Sequence, residues 1–152
     1  LDSLKYKISQ LDEAPPPWRR VRGDELSVAA RYPATDSVSE WGDEILALDQ
    51  LLVEGFVQKP LQKVATDAGR IIDKLWQSLR LLRAFFEAQG SRLHNLRSVL
   101  KGHGPPSERA VASKQARTVH GTLRAHFTAL AGEWDAAFVR ILRALGMAIH
   151  PD

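Results

Sequence analysis

The chain has 152 residues, 44% of them apolar and none of them cysteine. That is enough material for one domain with a proper core, and it excludes a disulfide scaffold or a thiolate metal site. Net charge is +3 but unevenly spread: residues 1–56 carry 6 basic and 11 acidic side chains, whereas 57–152 carry 15 and 7. Fourteen of the 21 cations are arginine, so the C-terminal part is expected to attract phosphate polymers, or else to present a solvated basic helix surface. No apolar run approaches the roughly 20 residues that span a bilayer. No signal peptide is read, and a cytoplasmic protein without a membrane partner is expected, although a start at Leu1 rather than Met leaves room for a preceding segment.

Residues 1–35 read as an extended arm. Leu4-Lys5-Tyr6-Lys7-Ile8 alternates apolar and charged side chains as a short strand does, and Pro15, Pro16 and Pro17 favour an extended path. Trp18, followed by Arg19, Arg20 and Arg22, either plugs into the bundle or, with Pro15–Pro17, docks a protein partner. A helical bundle is expected over residues 36–150. Ser37-Val38-Ser39-Glu40 has capping-box spacing, so the first bundle helix starts near Asp36–Ser39. Val38, Trp41, Ile45, Leu48, Leu52 and Phe56 give it one apolar stripe, with Asp43, Glu44, Asp49 and Glu54 mostly off it.

A short helix over Pro60–Ala68 follows, closed by Gly69. The next helix is expected from about Ile71 to Ala88, on a stripe of Ile71, Leu75, Leu79, Leu82 and Phe86, ended by Gly90. Residues 91–101 form another short helix carrying Leu93, Leu96 and Leu100, and Gly102-His103-Gly104-Pro105-Pro106 cannot continue it. From the N-cap candidate Ser107 an apolar pattern runs almost unbroken to Met147, with Gly121 and Gly132 as sites for bends. Kept straight, this helix would be about 60 Å long at 1.5 Å per residue. Either it bends or its end packs on a second subunit.

The residues that carry chemistry lie between these patterns. Arg97 offers a planar fork that neutralises phosphate charge, and His103, between two glycines, offers a proton donor or acceptor near neutral pH. The spacing by itself is weak, because Arg143 and His150 match it too. His94 and Asn95 lie about one turn from Arg97. His120 and His126 are six apart on the last helix, off the i, i+4 spacing of a metal pair, and no zinc motif, phosphate-binding glycine loop or nucleophile elbow is present. No metal and no cofactor is expected.

Over about residues 37–148 the chain resembles a HEPN-type domain, a helical group named for higher eukaryote and prokaryote nucleotide binding. The resemblance rests on the helix order, on Ser78-Leu79-Arg80-Leu81-Leu82 and on Leu93-His94-Asn95-Leu96-Arg97-Ser98 followed by His103. It implies an all-α bundle of four or five helices presenting an Arg-x4–6-His motif. It also implies a homodimer with two motifs face to face, and metal-independent cleavage of RNA in defence or toxin–antitoxin systems. Arg97 and His103 would then be the catalytic pair. Ser98 stands where active members often carry Asn, Asp or His, so His94 or Asn95 would supply the missing polar group. Lys101, Arg92 and Arg109 flank the motif and are the cations expected to meet the RNA backbone.

Two further readings stay open. One is a non-catalytic helical interaction or dimerisation module that binds a protein partner or a nucleotide. The other is a ligand-binding helical regulator, which needs a polar-lined pocket that sequence does not reveal.

Overall fold

The computed structural model describes residues 1–67, 69, 90–101, 106–144 and 146. Among these the fold is all-α. The elements are α1 (Asp2–Glu13), α2 (Asp24–Ala29), α3 (Val38–Leu52), a single 3-10 turn at Val53–Gly55, α4 (Gln58–Asp67), α5 (Gly90–Lys101), α6 (Pro106–His120) and α7 (Leu123–Ala144). The expected helix over 71–88 lies outside the described residues.

The N-terminal stretch corrects the expected extended, short-stranded arm. Leu4, Ile8 and Leu11 recur at steps of four and three and are all buried, so α1 presents a helical stripe, while Tyr6 faces solvent. Leu4 and Ile8 satisfy a period of two and a period of 3.6 alike; Leu11 decides between them. Helix α1 packs on α7, and Lys7 Nζ reaches Asp135 at 2.8 Å.

Pro15–Pro17 do keep the following link out of helix. Trp18 is buried and stacks on Phe56 with ring centroids 5.8 Å apart, so it forms part of this chain's own core. Backbone bonds fix the link. Arg20 N–H donates to the Gly55 carbonyl at 2.7 Å and Val57 N–H to the Trp18 carbonyl at 2.8 Å. The buried Arg19 guanidinium bonds both Asp12 carboxylate oxygens and the Leu51 carbonyl. A side chain at residue 55 would collide with that guanidinium, which is why glycine stands there.

Helix α3 is the central element, and its start follows the capping expectation. Ser37 Oγ accepts from Glu40 N–H at 3.1 Å. The reciprocal half of the box is displaced: Glu40 accepts from the Ala34 and Thr35 backbone and from Thr35 Oγ1, which holds its carboxyl below the usual range. Trp41, Ile45, Leu48 and Leu52 are buried as the stripe requires, and so are Glu44 and Asp49. Glu44 is paired by Arg31 at 3.3 Å.

The long C-terminal apolar pattern is two helices. Gly121 adopts φ +87° and ends α6, while Gly132 sits inside α7 without breaking it. Asp36 locks the break from 87 residues away: its Oδ1 accepts from Leu123 N–H at 2.7 Å and from Arg124 N–H, capping α7. Thr122 Oγ1 adds a local cap on Ala125 N–H, and Arg117 at the end of α6 pairs with Asp36 Oδ2 at 3.6 Å. With the helix broken in this way, its length no longer calls for a second subunit. Helices α3, α5, α6 and α7 then pack in a bundle: α5 on α3, α6 on α5 and α7, and α7 on α3.

Candidate functional site

Two places in the bundle concentrate polar side chains against buried aromatics and carboxylates. The first surrounds Arg97. Leu93 and Leu100 bury the inner face of α5 against α3, so Arg97, between them, is turned toward the C-terminal end of α3. Its Nε lies 3.9 Å from Asp49 Oδ2 and its Nη2 lies 3.8 Å from Glu54 Oε1. The Asp49 side chain is fully buried, and Arg97 keeps 28% exposure. Arg22 Nη2 meets the other Glu54 oxygen at 3.5 Å, closing an alternating chain of two arginines and two carboxylates. These separations make ion pairs rather than hydrogen bonds, and the Nε atoms of Arg22 and Arg97 are buried without a hydrogen-bond acceptor among the described residues.

The other residues singled out by sequence fall differently. His103 lies outside the described residues. Arg92, His94 and Asn95 belong to α5, but their side chains also lie outside the described set. Ser98 is half-buried on α5, one position beyond Arg97. Lys101 ends α5 and its Nζ sits 2.7 Å from Asp43 Oδ1, so it is already paired within the chain. Arg109 is exposed in the first turns of α6. Of the catalytic pair expected from sequence, then, only Arg97 has a described environment, and carboxylates dominate it.

The second place is a cavity of 510 Å³ walled by α3, α5, α6 and the first turns of α7. Its apolar wall is Leu96, Ala112, Ala116 and Val119, backed by the fully buried Trp41. Its polar wall is Lys114, Gln115, Thr118, His120 and His126, without a carboxylate or an arginine among the described residues.

The break at Gly121 builds this site. On a continuous helix, positions 120 and 126 point to different faces. Turned back through Gly121, the two imidazoles stand edge to face with centroids 5.2 Å apart. Trp41 Nε1–H donates to His126 Nδ1 at 3.2 Å, and the two rings meet edge to face at 5.3 Å. Indole N–H can only donate, so Nδ1 is the acceptor and a neutral His126 carries its proton on Nε2. The sequence reading set His120 and His126 six apart on one continuous helix, off a shared face; the bend at Gly121 is what brings them together. No group of three or more His, Cys, Asp or Glu able to hold a metal ion occurs among the described residues, and no described helix is long and apolar enough to cross a membrane.

No known protein family, curated protein or solved structure matches this chain. The likeness to HEPN-type domains therefore stands on the residues quoted for it and no further.

Proposed function

We propose that this chain is a non-catalytic helical binding module rather than a ribonuclease. The observation that carries this reading is the placement of Arg97 between Asp49 and Glu54. A guanidinium that must cradle a phosphate in flight has to be free to turn its fork toward it. Here the fork serves carboxylates, one of them buried. Withdrawing it would leave the Asp49 charge in the interior, at a cost of about 2–3 kcal/mol, below the fully buried case because Arg97 stays partly exposed. In this reading Arg97 joins α5 to α3 and to the 3-10 turn, and the binding surface is the polar-walled side of α6.

The test is incubation of labelled single-stranded RNA with the protein in the presence of chelator, beside the His103→Ala variant. The binding-module reading expects intact RNA in both. Cleavage by the parent that disappears in His103→Ala overturns it and restores the metal-independent nuclease with Arg97 and His103 as its pair.

A further inference from the structure

We infer that the cavity between α3, α5, α6 and the start of α7 is a binding site for a small carboxylate with an aromatic or aliphatic body. The inference rests on the binding-module reading and gives that module its ligand class.

Size sets the first limit. A cavity of 510 Å³ falls among sites that hold a small organic molecule, about 300–1,000 Å³, and is too small for a folded partner. The chemistry of the walls sets the second. Leu96, Ala112, Ala116 and Val119 form an apolar wall suited to a ring or a short chain, and the fully buried Trp41 backs that wall from the core side. The polar side carries the Lys114 ammonium, the Gln115 amide and the His120 and His126 imidazoles, while the Thr118 hydroxyl already donates to the Lys114 carbonyl. With no acidic liner among the described residues, an anion meets no like charge there, whereas a bound cation would face the Lys114 ammonium.

The kind of anion follows from the charge present: among the described liners Lys114 is the fixed cation, and one ammonium matches the single charge of a carboxylate. The Trp41–His126 bond adds rigidity, since it fixes one imidazole in orientation before any ligand arrives. His120 and Lys114 lie on α6, so the ligand would bridge that helix to the wall formed by α3 and α5.

The experiment is calorimetric titration of the full chain with three phenyl-bearing probes: 4-phenylbutyrate, 4-phenylbutanol and phenyl phosphate. Indole N–H resonances report the location in parallel. The expected result is saturable binding of 4-phenylbutyrate, at least about tenfold tighter than the alcohol, as one charge-assisted contact provides. The Trp41 indole signal should move while that of Trp18, buried against Phe56 in another part of the core, stays in place. Lys114→Gln and His120→Gln alter exposed or half-exposed side chains, and each should weaken the carboxylate about tenfold with circular dichroism unchanged.

Equal affinity for the alcohol overturns the anionic class and leaves the binding module standing. Tighter binding of phenyl phosphate overturns the carboxylate assignment. Carboxylate affinity unchanged in both variants, or a silent Trp41 signal, overturns the location. No saturable binding by any probe overturns the inference, and if RNA is cleaved as well, the binding-module reading falls with it.

Discussion

Helices α6 and α7 continue each other in sequence across a single turn, yet the bundle uses them in opposite ways. Helix α7 buries Leu123, Phe127, Leu130, Trp134, Phe138, Ile141 and Leu142 against α1 and α3. Helix α6 buries only Ser113 and Ala116, and it leaves Val111 and Val119 in solvent, the latter 75% exposed. Stability from apolar burial scales with area, so α7 is part of what holds the fold and α6 is carried by it. What fastens α6 is polar and sits at its C-terminal end: the Arg117–Asp36 pair and the Gly121 turn. A weakly anchored helix over a cavity, beside a strongly anchored one, is the arrangement that lets a site adjust without loosening the core.

This contrast can be broken most forcefully at Phe127. Truncation of this fully buried ring to alanine should cost about 3–5 kcal/mol, seen as a large drop in urea midpoint. Ala116→Gly in α6 should cost about 1 kcal/mol, mostly helix propensity. Comparable losses at the two sites would show that α6 contributes to the core as α7 does. Next comes Arg97→Ala, expected to cost about 2–3 kcal/mol by removing the cation that the buried Asp49 shares with Glu54. Pairing that change with Asp49→Asn should recover part of the loss in a double-mutant cycle, whereas an arginine serving only catalysis would leave stability untouched.

Asp36→Ala removes the carboxylate that caps α7 and holds Arg117, and about 1–2 kcal/mol should go with it. Native-state hydrogen exchange sharpens the comparison further: amides in α6 should exchange through a lower-energy opening than those in α7, and Asp36→Ala should widen that gap. The smallest effect concerns acid. Glu40 has its carboxyl lowered first by the Thr35 hydroxyl and then by the Ala34 backbone. A lowered folded-state pKa stabilises above the unfolded value and is lost as pH falls through the folded one. Glu40→Gln should therefore flatten the decline of Tm only below the ordinary carboxylate range, and slightly, because the group is exposed.

Much of the α-helical plan was legible because its signals are local. Ser37 and Glu40 three residues apart fix the start of α3, and Gly69 with φ +76° follows α4 as a C-terminal cap should. The failures are equally specific. Leu4 and Ile8 fit a strand as well as a helix, and only the next buried contact, Leu11 against the common core, separates the two. Val119, Leu123 and Phe127 keep one helical phase across Gly121, but Val119 does not share their burial, so the continuity of the pattern was accidental.

The surroundings of the candidate site were harder to read than the residues in it. Arg97 announces itself as a cation among the leucines Leu93, Leu96 and Leu100 of α5. Its partners, Asp49 and Glu54, are more than forty residues upstream, and nothing local couples them. One clue was present. Asp49 lies four residues after Ile45 and three before Leu52, on the buried stripe itself, and a carboxylate in such a position requires a cation from elsewhere in the chain. The cavity had no comparable clue, since it exists only where four helices meet.

Asp36 also imposes an order of assembly. The first N–H groups of α7 find their carboxylate in a loop 87 residues earlier, so α7 can be closed at its start only after that loop has been set by α3 and its cap. During synthesis α5 can already cover part of α3, but the side of α3 that α7 covers would wait until residue 123 and its followers emerge. Contacts this distant in sequence slow folding. A chain released before α7 is made would thus expose Trp41, Ile45 and Leu48 together, the face that a chaperone would be called on to shield.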